Sequence, residues 1–199
     1  MNAKRLFDFG VSLIFIILFS PFLVVIGVII KIDSQGPIFY RQTRVGRSGK
    51  LFRIHKFRTM FVDHKSSGGF ITVGNDIRVT RVGRFLRAYK IDELAQLIDV
   101  FIGDMSFVGP RPEVPFYVEK YPSQLKSVVL SQKPGITDWA SILYRNESAL
   151  LALSPDPETE YIENILPKKV ECYVDYARNR TFLGDLKIIL FTVKAVITG

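Results

Sequence analysis

From Phe9 to Ile30 the chain carries no charged side chain: FGVSLIFIILFSPFLVVIGVII. A helix needs about 20 apolar residues to cross the hydrocarbon core of a bilayer, so this stretch decides which environments the chain can occupy. It is too long for the apolar core of a typical cleaved leader, and no small-residue cleavage site of the A-x-A kind follows it. Ser20-Pro21 stands near its middle. Proline brings no N–H and its ring clashes with the carbonyl four residues back, so a helix kinks or breaks there. The Ser20 hydroxyl can bond back to a freed carbonyl and soften that cost in lipid. At 1.5 Å per residue each half is roughly 16 Å long, about half of a bilayer core.

The flanks bear on how the segment sits. Lys4 and Arg5 precede it, and Lys31, Arg41, Arg44, Arg47, Lys50 and Arg53 follow it. Positive charge on both sides gives the positive-inside rule no asymmetry to act on. If both flanks prefer the cytoplasm, the segment enters and leaves through one leaflet. These residues favour a re-entrant helical hairpin over a kinked span; a buried helix that pairs with another copy is the remaining arrangement.

At 199 residues the chain has room for one domain and an appended element. The expected division is a re-entrant membrane helix over 1–33 and a second domain over 34–199. A net charge of +8 points to polyanionic partners: nucleic acid, an anionic membrane or phosphorylated substrates. Cys172 is the only cysteine, which excludes an intrachain disulfide, and with no CxxC or His/Cys cluster a zinc site is not expected.

Residues 37–60 alternate apolar and polar positions around a Gly/Ser turn, which predicts a β-hairpin with strands near 38–42 and 51–57. Its turn, GRSGK, lacks the full phosphate-loop pattern and sits in the wrong context for one. A polar, glycine-bearing loop is expected over 61–76. Arg78, Arg81, Arg84 and Arg87 then recur every third residue, along roughly one side of a helical segment. A short helix is expected over 92–102, ended by Gly103, with Leu94, Leu97, Ile98 and Phe101 on one face. GPRP (109–112) must be a rigid turn. Helix is expected again at 113–130, loop and strand at 133–148, two helices parted at Pro167 over 157–179, and a mostly apolar helix at 181–197. That last helix is either core or membrane-interfacial with its lysines snorkelling. The expected fold class is α/β (α+β), mainly helical, with a small β-hairpin.

Asp92 and Glu93 open the 92–102 helix. As cap and first-turn residues they have an ordinary structural explanation. Three features argue for more. Consecutive helical residues point about 100° apart, so one carboxylate can face a substrate while the other faces a metal or a proton. Arginines crowd the region on both sides, and carboxylates beside guanidiniums stay ionised; an ionised Asp is a competent nucleophile toward phosphorus. Arg111 sits in a proline-locked turn, and a rigidly held fork-shaped cation suits bidentate phosphate recognition. Lys56 and Arg58, which strand alternation sends to one face, read either as a solvated basic face near anionic headgroups or as a phosphate clamp. His55 and His64 are set aside, since a lone His is a poor catalytic candidate, and Trp139 is read as packing.

The pieces come in a telling order: an apolar N-terminus broken at Ser-Pro, then KFRTM (56–60), TRVGRFLR (80–87), IDELAQL (91–97), GDMSFVGPRPE (103–113) and KPGITDWA (133–140). Together they closely resemble the bacterial sugar transferases, the small monotopic phosphoglycosyl transferases, over about residues 4–197. The resemblance implies a helix broken at Ser20-Pro21 that enters one leaflet of the bacterial inner membrane, with interfacial amphipathic helices and the catalytic domain on the cytoplasmic face. It implies transfer of a sugar 1-phosphate from a nucleotide sugar, usually UDP-linked, to undecaprenyl phosphate, opening a surface-glycan pathway such as capsule or O-antigen. The implied mechanism is ping-pong, with an Asp-Glu dyad and Mg²⁺. On this chain Asp92 would attack the phosphate that bears the sugar, and Glu93 would assist through the metal or as a base, both carboxylates being metal ligands. Arg87 and Arg111 match family arginines that bind phosphate, and Lys56 matches the lysine of the strand motif. Arg145, within YRNES (144–148), is taken as a further substrate-binding residue in a stretch where members vary. The chain departs from the pattern at Lys90, where a small hydroxyl residue is common, and at Asp138 to Ile142, where many members read GWAQV. Those departures leave the donor sugar open, and the sequence also leaves the oligomeric state open.

Other classes give different signatures. A membrane-tethered nucleic-acid binder would be indifferent to Asp92 and steeply salt-dependent, so nucleic acid is not an expected partner. A non-catalytic scaffold for envelope-glycan assembly would keep the membrane helix and need neither carboxylate. Direct attack by the lipid phosphate in a ternary complex would use the same residues with no covalent intermediate.

Overall fold

The computed structural model describes residues 3–62 and 76–198. The glycine-bearing stretch expected at 61–76, together with His64, falls almost wholly outside the described residues. The chain is mostly helical with a little sheet, and it divides into two compact units: residues 1–42 with 53–103, and residues 43–52 with 104–199. Position 33/34 is where the first helix ends; the units part elsewhere.

In the first unit, α1 (Ala3–Asp33) continues through Pro21. Pro21 cannot donate to the carbonyl of Ile17, and the Ser20 hydroxyl does so instead at 2.8 Å. The helix is held near its two ends and largely exposed between them. Near its start, Arg5 donates to the carbonyls of Val100 and Phe101 at 2.6 and 2.7 Å, and Phe9 stacks on Phe101. Near its end, Ile26 and Ile30 join Phe57, Leu86 and Ala95 in an apolar cluster. Between these anchors Ile14, Ile17, Leu18, Phe22 and Val24 are exposed. The helix is long and apolar enough to cross a membrane, and an apolar surface of this kind suits a membrane-associated protein.

The hairpin is present as β1 (Phe39–Val45) and β2 (Leu51–Phe57), the first strand running three residues further than expected. α2 (Arg81–Ala88) begins at a Thr80 cap whose hydroxyl accepts from the Gly83 N–H. Gly83 has a steric reason: a Cβ there would fall 2.1 Å from the Thr59 carbonyl oxygen. The 92–102 helix is in fact a 3₁₀ turn, Ile91–Gln96, followed by α3 (Leu97–Ile102) and closed as expected by Gly103 at φ 97°.

In the second unit, β3 (Ser106–Val108) pairs in parallel with β4 (Gly135–Thr137), Ser106 opposite Gly135 and Val108 opposite Thr137. A parallel pair needs a crossover, and α4 (Pro115–Glu119) and α5 (Ser123–Leu130) lie within it; the helix expected over 113–130 is broken in two before Pro122. α6 (Trp139–Leu143), α7 (Glu147–Leu151) and α8 (Pro157–Glu160) follow. A π-helical turn, Tyr161–Ile165, then runs directly into α9 (Leu166–Asn179). Pro167 is the second residue of α9, and the helical run expected to part there continues through it, with the π-helical turn just before the proline. α10 (Phe182–Ile197) supplies Ile188 and Ile189 to a cluster with Val108, Tyr176 and Trp139, while Leu183, Leu190, Val196 and Ile197 stay exposed. Trp139 packs as expected, 5.5 Å from the Phe191 ring.

Candidate active site

The acidic pair lies in the first unit. Lys90 takes a left-handed conformation, φ 56°, that reverses the chain after α2 and starts the 3₁₀ turn on the next residue. Asp92 and Glu93 are thus in the first turn of a helical segment, where the backbone dipole favours negative charge. Strand β2 brings Lys56 to them. Its ammonium lies 3.1 Å from Asp92 Oδ2 and 3.1 Å from Glu93 Oε1.

The pair is covered unevenly. The Asp92 side chain is 2% exposed, that of Lys56 29%. Asp92 is not set in a purely apolar interior; it lies beneath a partly exposed cation. Its Oδ1 is buried with no hydrogen-bond partner among the described residues. A buried carboxylate oxygen normally finds a donor, and among the described residues this one has none.

Arg87 adds positive charge. Its Nε donates to the Thr59 hydroxyl at 2.8 Å. Burial lowers its pKa, with the charges of Asp92 and Asp76 opposing; a guanidinium stays protonated regardless. The arginine series does not share one side. Arg78 precedes α2 and is engaged by Asp76, at 2.6 Å for its closest contact. Arg81 and Arg84 are exposed on the outer face of α2, and Arg87 turns inward.

Arg58 takes a different place from the one strand alternation gives it. β2 ends at Phe57, so the alternation no longer holds. The Arg58 guanidinium is buried and donates to the carbonyls of Ile30, Ser34 and Gln35 at the end of α1. In the second unit, Arg111 lines a small cleft with Gly46, Pro110, Glu113 and Tyr121, and its charge acts on Glu113 and Asp138. Arg145 donates to the Ala195 carbonyl at 3.2 Å, in the last turn of α10. The structure thus brings Lys56, Asp92 and Glu93 into direct contact, with Arg87 acting on Asp92 electrostatically.

One pair escaped the sequence. His55 is bound by Asp99: its backbone N–H donates to Oδ2 at 2.8 Å and its Nδ1 lies 2.7 Å from Oδ1. Burial pushes the Asp99 carboxyl up, against the hydrogen bonds from His55. Nothing in the local pattern joins two residues so far apart in the chain.

Asp92 and Glu93 offer hard carboxylate oxygens of the kind Mg²⁺ takes. Among the described residues no third His, Cys, Asp or Glu joins them in a metal-binding group.

A family model described as bacterial sugar transferase matches residues 1–199. The chain is 40% identical to a Klebsiella pneumoniae UDP-glucose:undecaprenyl-phosphate glucose-1-phosphate transferase, over 97% of this chain and 40% of that protein. It is 34% identical to an Aeromonas hydrophila UDP-N-acetylgalactosamine-undecaprenyl-phosphate N-acetylgalactosaminephosphotransferase, over 98% of this chain and 44% of that protein. A Bacillus subtilis (strain 168) protein described as an uncharacterized sugar transferase, EpsL, is 36% identical over 100% of this chain and 89% of its own length. The chain thus spans about two fifths of the first two relatives, 40% and 44%, and most of the third.

Proposed function

The chain belongs to the bacterial sugar transferase family, and on that premise we propose that it is a phosphoglycosyl transferase. It moves a sugar 1-phosphate from a UDP-sugar to undecaprenyl phosphate, at the cytoplasmic face of the bacterial inner membrane, as the first membrane step of a surface-glycan pathway. The observation that carries this reading is Asp92: one oxygen held by Lys56, the other buried and unbonded among the described residues.

The reaction runs in two halves. A UDP-sugar brings its diphosphate to the partly exposed Lys56 ammonium, which moves from the carboxylates to the incoming oxygens and uncovers Asp92. Asp92 Oδ1 attacks the phosphorus that bears the sugar. A P–O bond to aspartate forms, the diphosphate P–O bond breaks, and UMP leaves with that electron pair. An oxygen of undecaprenyl phosphate then attacks the same phosphorus, forming the lipid diphosphate sugar and returning the carboxylate. Lys56 and Arg87 offset the repulsion between anionic nucleophile and anionic substrates, and Arg111 is assigned to phosphate binding as in the family pattern. Bound Mg²⁺, held by Asp92 and Glu93, would neutralise charge on the phosphate oxygens. Arg58, committed to α1, is reassigned from substrate to anchor.

The membrane helix is read as a re-entrant hairpin. Supporting this, the Arg5 end and the Ile30 end of α1 are held by the same compact unit, and Ser20 and Pro21 lie between them. The donor sugar is open: the two relatives above differ in it.

The test uses purified protein with undecaprenyl phosphate, Mg²⁺ and a panel of UDP-sugars. UMP release with one donor is expected, and omission of the lipid should leave a phospho-sugar adduct on wild-type protein but not on Asp92→Asn. Turnover without an adduct points to direct ternary attack; no UMP from any donor overturns the assignment.

A further inference from the structure

Lys56 and its neighbour His55 tie strand β2 to one continuous helical stretch at two points. Lys56 meets Asp92 and Glu93 in its 3₁₀ turn, and His55 meets Asp99 in α3. Asp99 is 0% exposed and uses both oxygens on His55, one of them on the backbone N–H at the strand edge that β1 leaves open. A single tie lets a strand pivot; two ties fix its register and its tilt.

The second tie has a definite proton arrangement. On the far side of the ring, Arg41 Nη1 lies 2.6 Å from His55 Nε2. A guanidinium only donates, so Nε2 accepts, and the ring hydrogen sits on Nδ1, where an Asp99 oxygen receives it. Arg41 is held in turn, donating through Nη2 to the Arg53 carbonyl at 2.8 Å while Arg53 donates back to the Arg41 carbonyl at 3.2 Å. Phe39 stands edge-on to the ring at 5.9 Å. A buried carboxylate is a costly packing element. Here it is the one small side chain able to accept from both His55 donors at once.

We infer that Asp99 and His55 are positioning residues: the chain Asp99–His55–Arg41 locks β2 in the register that sets the Lys56 ammonium on Asp92 and Glu93. The inference rests on the reading of that cluster as the reacting centre, but the placement of Lys56 can be measured without turnover.

The Asp99→Asn variant tests it. An amide presents N–H to Nδ1, which drives the ring hydrogen to Nε2, against the Arg41 guanidinium. Arg41→Gln supplies a side chain that either donates to or accepts from Nε2. Arg41→Gln alone should be near neutral, Asp99→Asn should release Lys56, and the double variant should recover. Two readouts are taken on the full chain in nanodiscs: the acetylation rate of Lys56 by peptide mass spectrometry, and UMP release. Asp99→Asn should acetylate at Lys56 several-fold faster and lose about 10- to 100-fold in turnover, as misplacement of a charged group commonly costs. Both effects should be largely reversed in the double variant. If Asp99→Asn does not fold, His55→Gln must show the same rise in Lys56 acetylation. Wild-type acetylation and turnover in Asp99→Asn, or no recovery in the double variant, overturns the inference. Failure of wild-type protein to release UMP overturns the transferase reading instead, and leaves the acetylation result standing on its own.

Discussion

The Ser20 hydroxyl lies 2.8 Å from the carbonyl oxygen of Ile17, the oxygen that Pro21 strips of its helical donor. Pro21→Ala restores that donor and removes the ring clash, so it strengthens α1 as an uninterrupted helix. The expected result is partial conversion from hairpin to span. In a Cys172→Ser background, a cysteine placed at Ala3 should resist a membrane-impermeant maleimide in intact cells, and should label in part once Pro21→Ala is added. Identical labelling with and without Pro21→Ala would contradict the hairpin reading.

Lys56 bridging Asp92 and Glu93 gives opposite expectations for two substitutions. Asp92→Asn removes the nucleophile but leaves Lys56 its Glu93 partner at 3.1 Å. Turnover should fall by about 10⁴-fold or more, with membrane association and thermal stability near wild type. Lys56→Met keeps the nucleophile but leaves two adjacent carboxylates without their shared cation, so KM for the UDP-sugar should rise. Near-normal UMP release by Asp92→Asn would remove Asp92 from the chemistry.

A buried network in the second unit predicts acid sensitivity. Glu113 accepts from the Tyr161 hydroxyl at 2.7 Å, and Lys169 lies 3.6 Å from Glu113 and 2.9 Å from Glu147. Burial pushes the Glu113 carboxyl up, but Lys169, Arg44, the Tyr161 hydrogen bond and Arg111 more than reverse this, and it sits below the usual carboxylate range. Such a group stabilises the fold fully above the ordinary carboxylate pKa, and that stability is lost as pH falls through the depressed folded value. Glu113→Gln should therefore flatten the acid limb of a stability-against-pH curve. Lys169→Met, which strands a buried carboxylate, should cost about 3–5 kcal/mol and lower Tm by roughly 10 °C. An unchanged melt would show that water reaches this network.

Local chemistry was legible in the sequence; long-range pairing was not. The Ser20-Pro21 repair, the Gly103 stop and the hairpin around GRSGK each follow from residues within a few positions of one another, and each is present. Adjacency alone placed Asp92 and Glu93 on one turn. The parallel pair β3–β4 joins three-residue strands whose hydrophobic pattern is too short to read, across a crossover that contains two helices. Asp99 reads locally as a poor helix residue in an apolar run, and its meaning appears only when β2 is laid beside it. For Arg58 the strand period stops one residue short: β2 ends at Phe57, and the next side chain is set by its contacts with the end of α1.

Arg58 supplies the sharpest separation between anchor and ligand. Its guanidinium serves the carbonyls of Ile30, Ser34 and Gln35, and Gly36 packs so closely against it that a Cβ there would collide with the fork. Arg58→Lys keeps the charge, but one ammonium cannot reproduce the planar fork. Buried carbonyls left without donors cost about 1–3 kcal/mol each, so Tm should drop by several degrees and the end of α1 should become more open to protease. KM for the UDP-sugar should stay within about twofold, since a structural loss of this kind falls on stability and not on ground-state binding. A substrate ligand would give the reverse split, a raised KM with an unchanged melt, and that result would return Arg58 to the phosphate site.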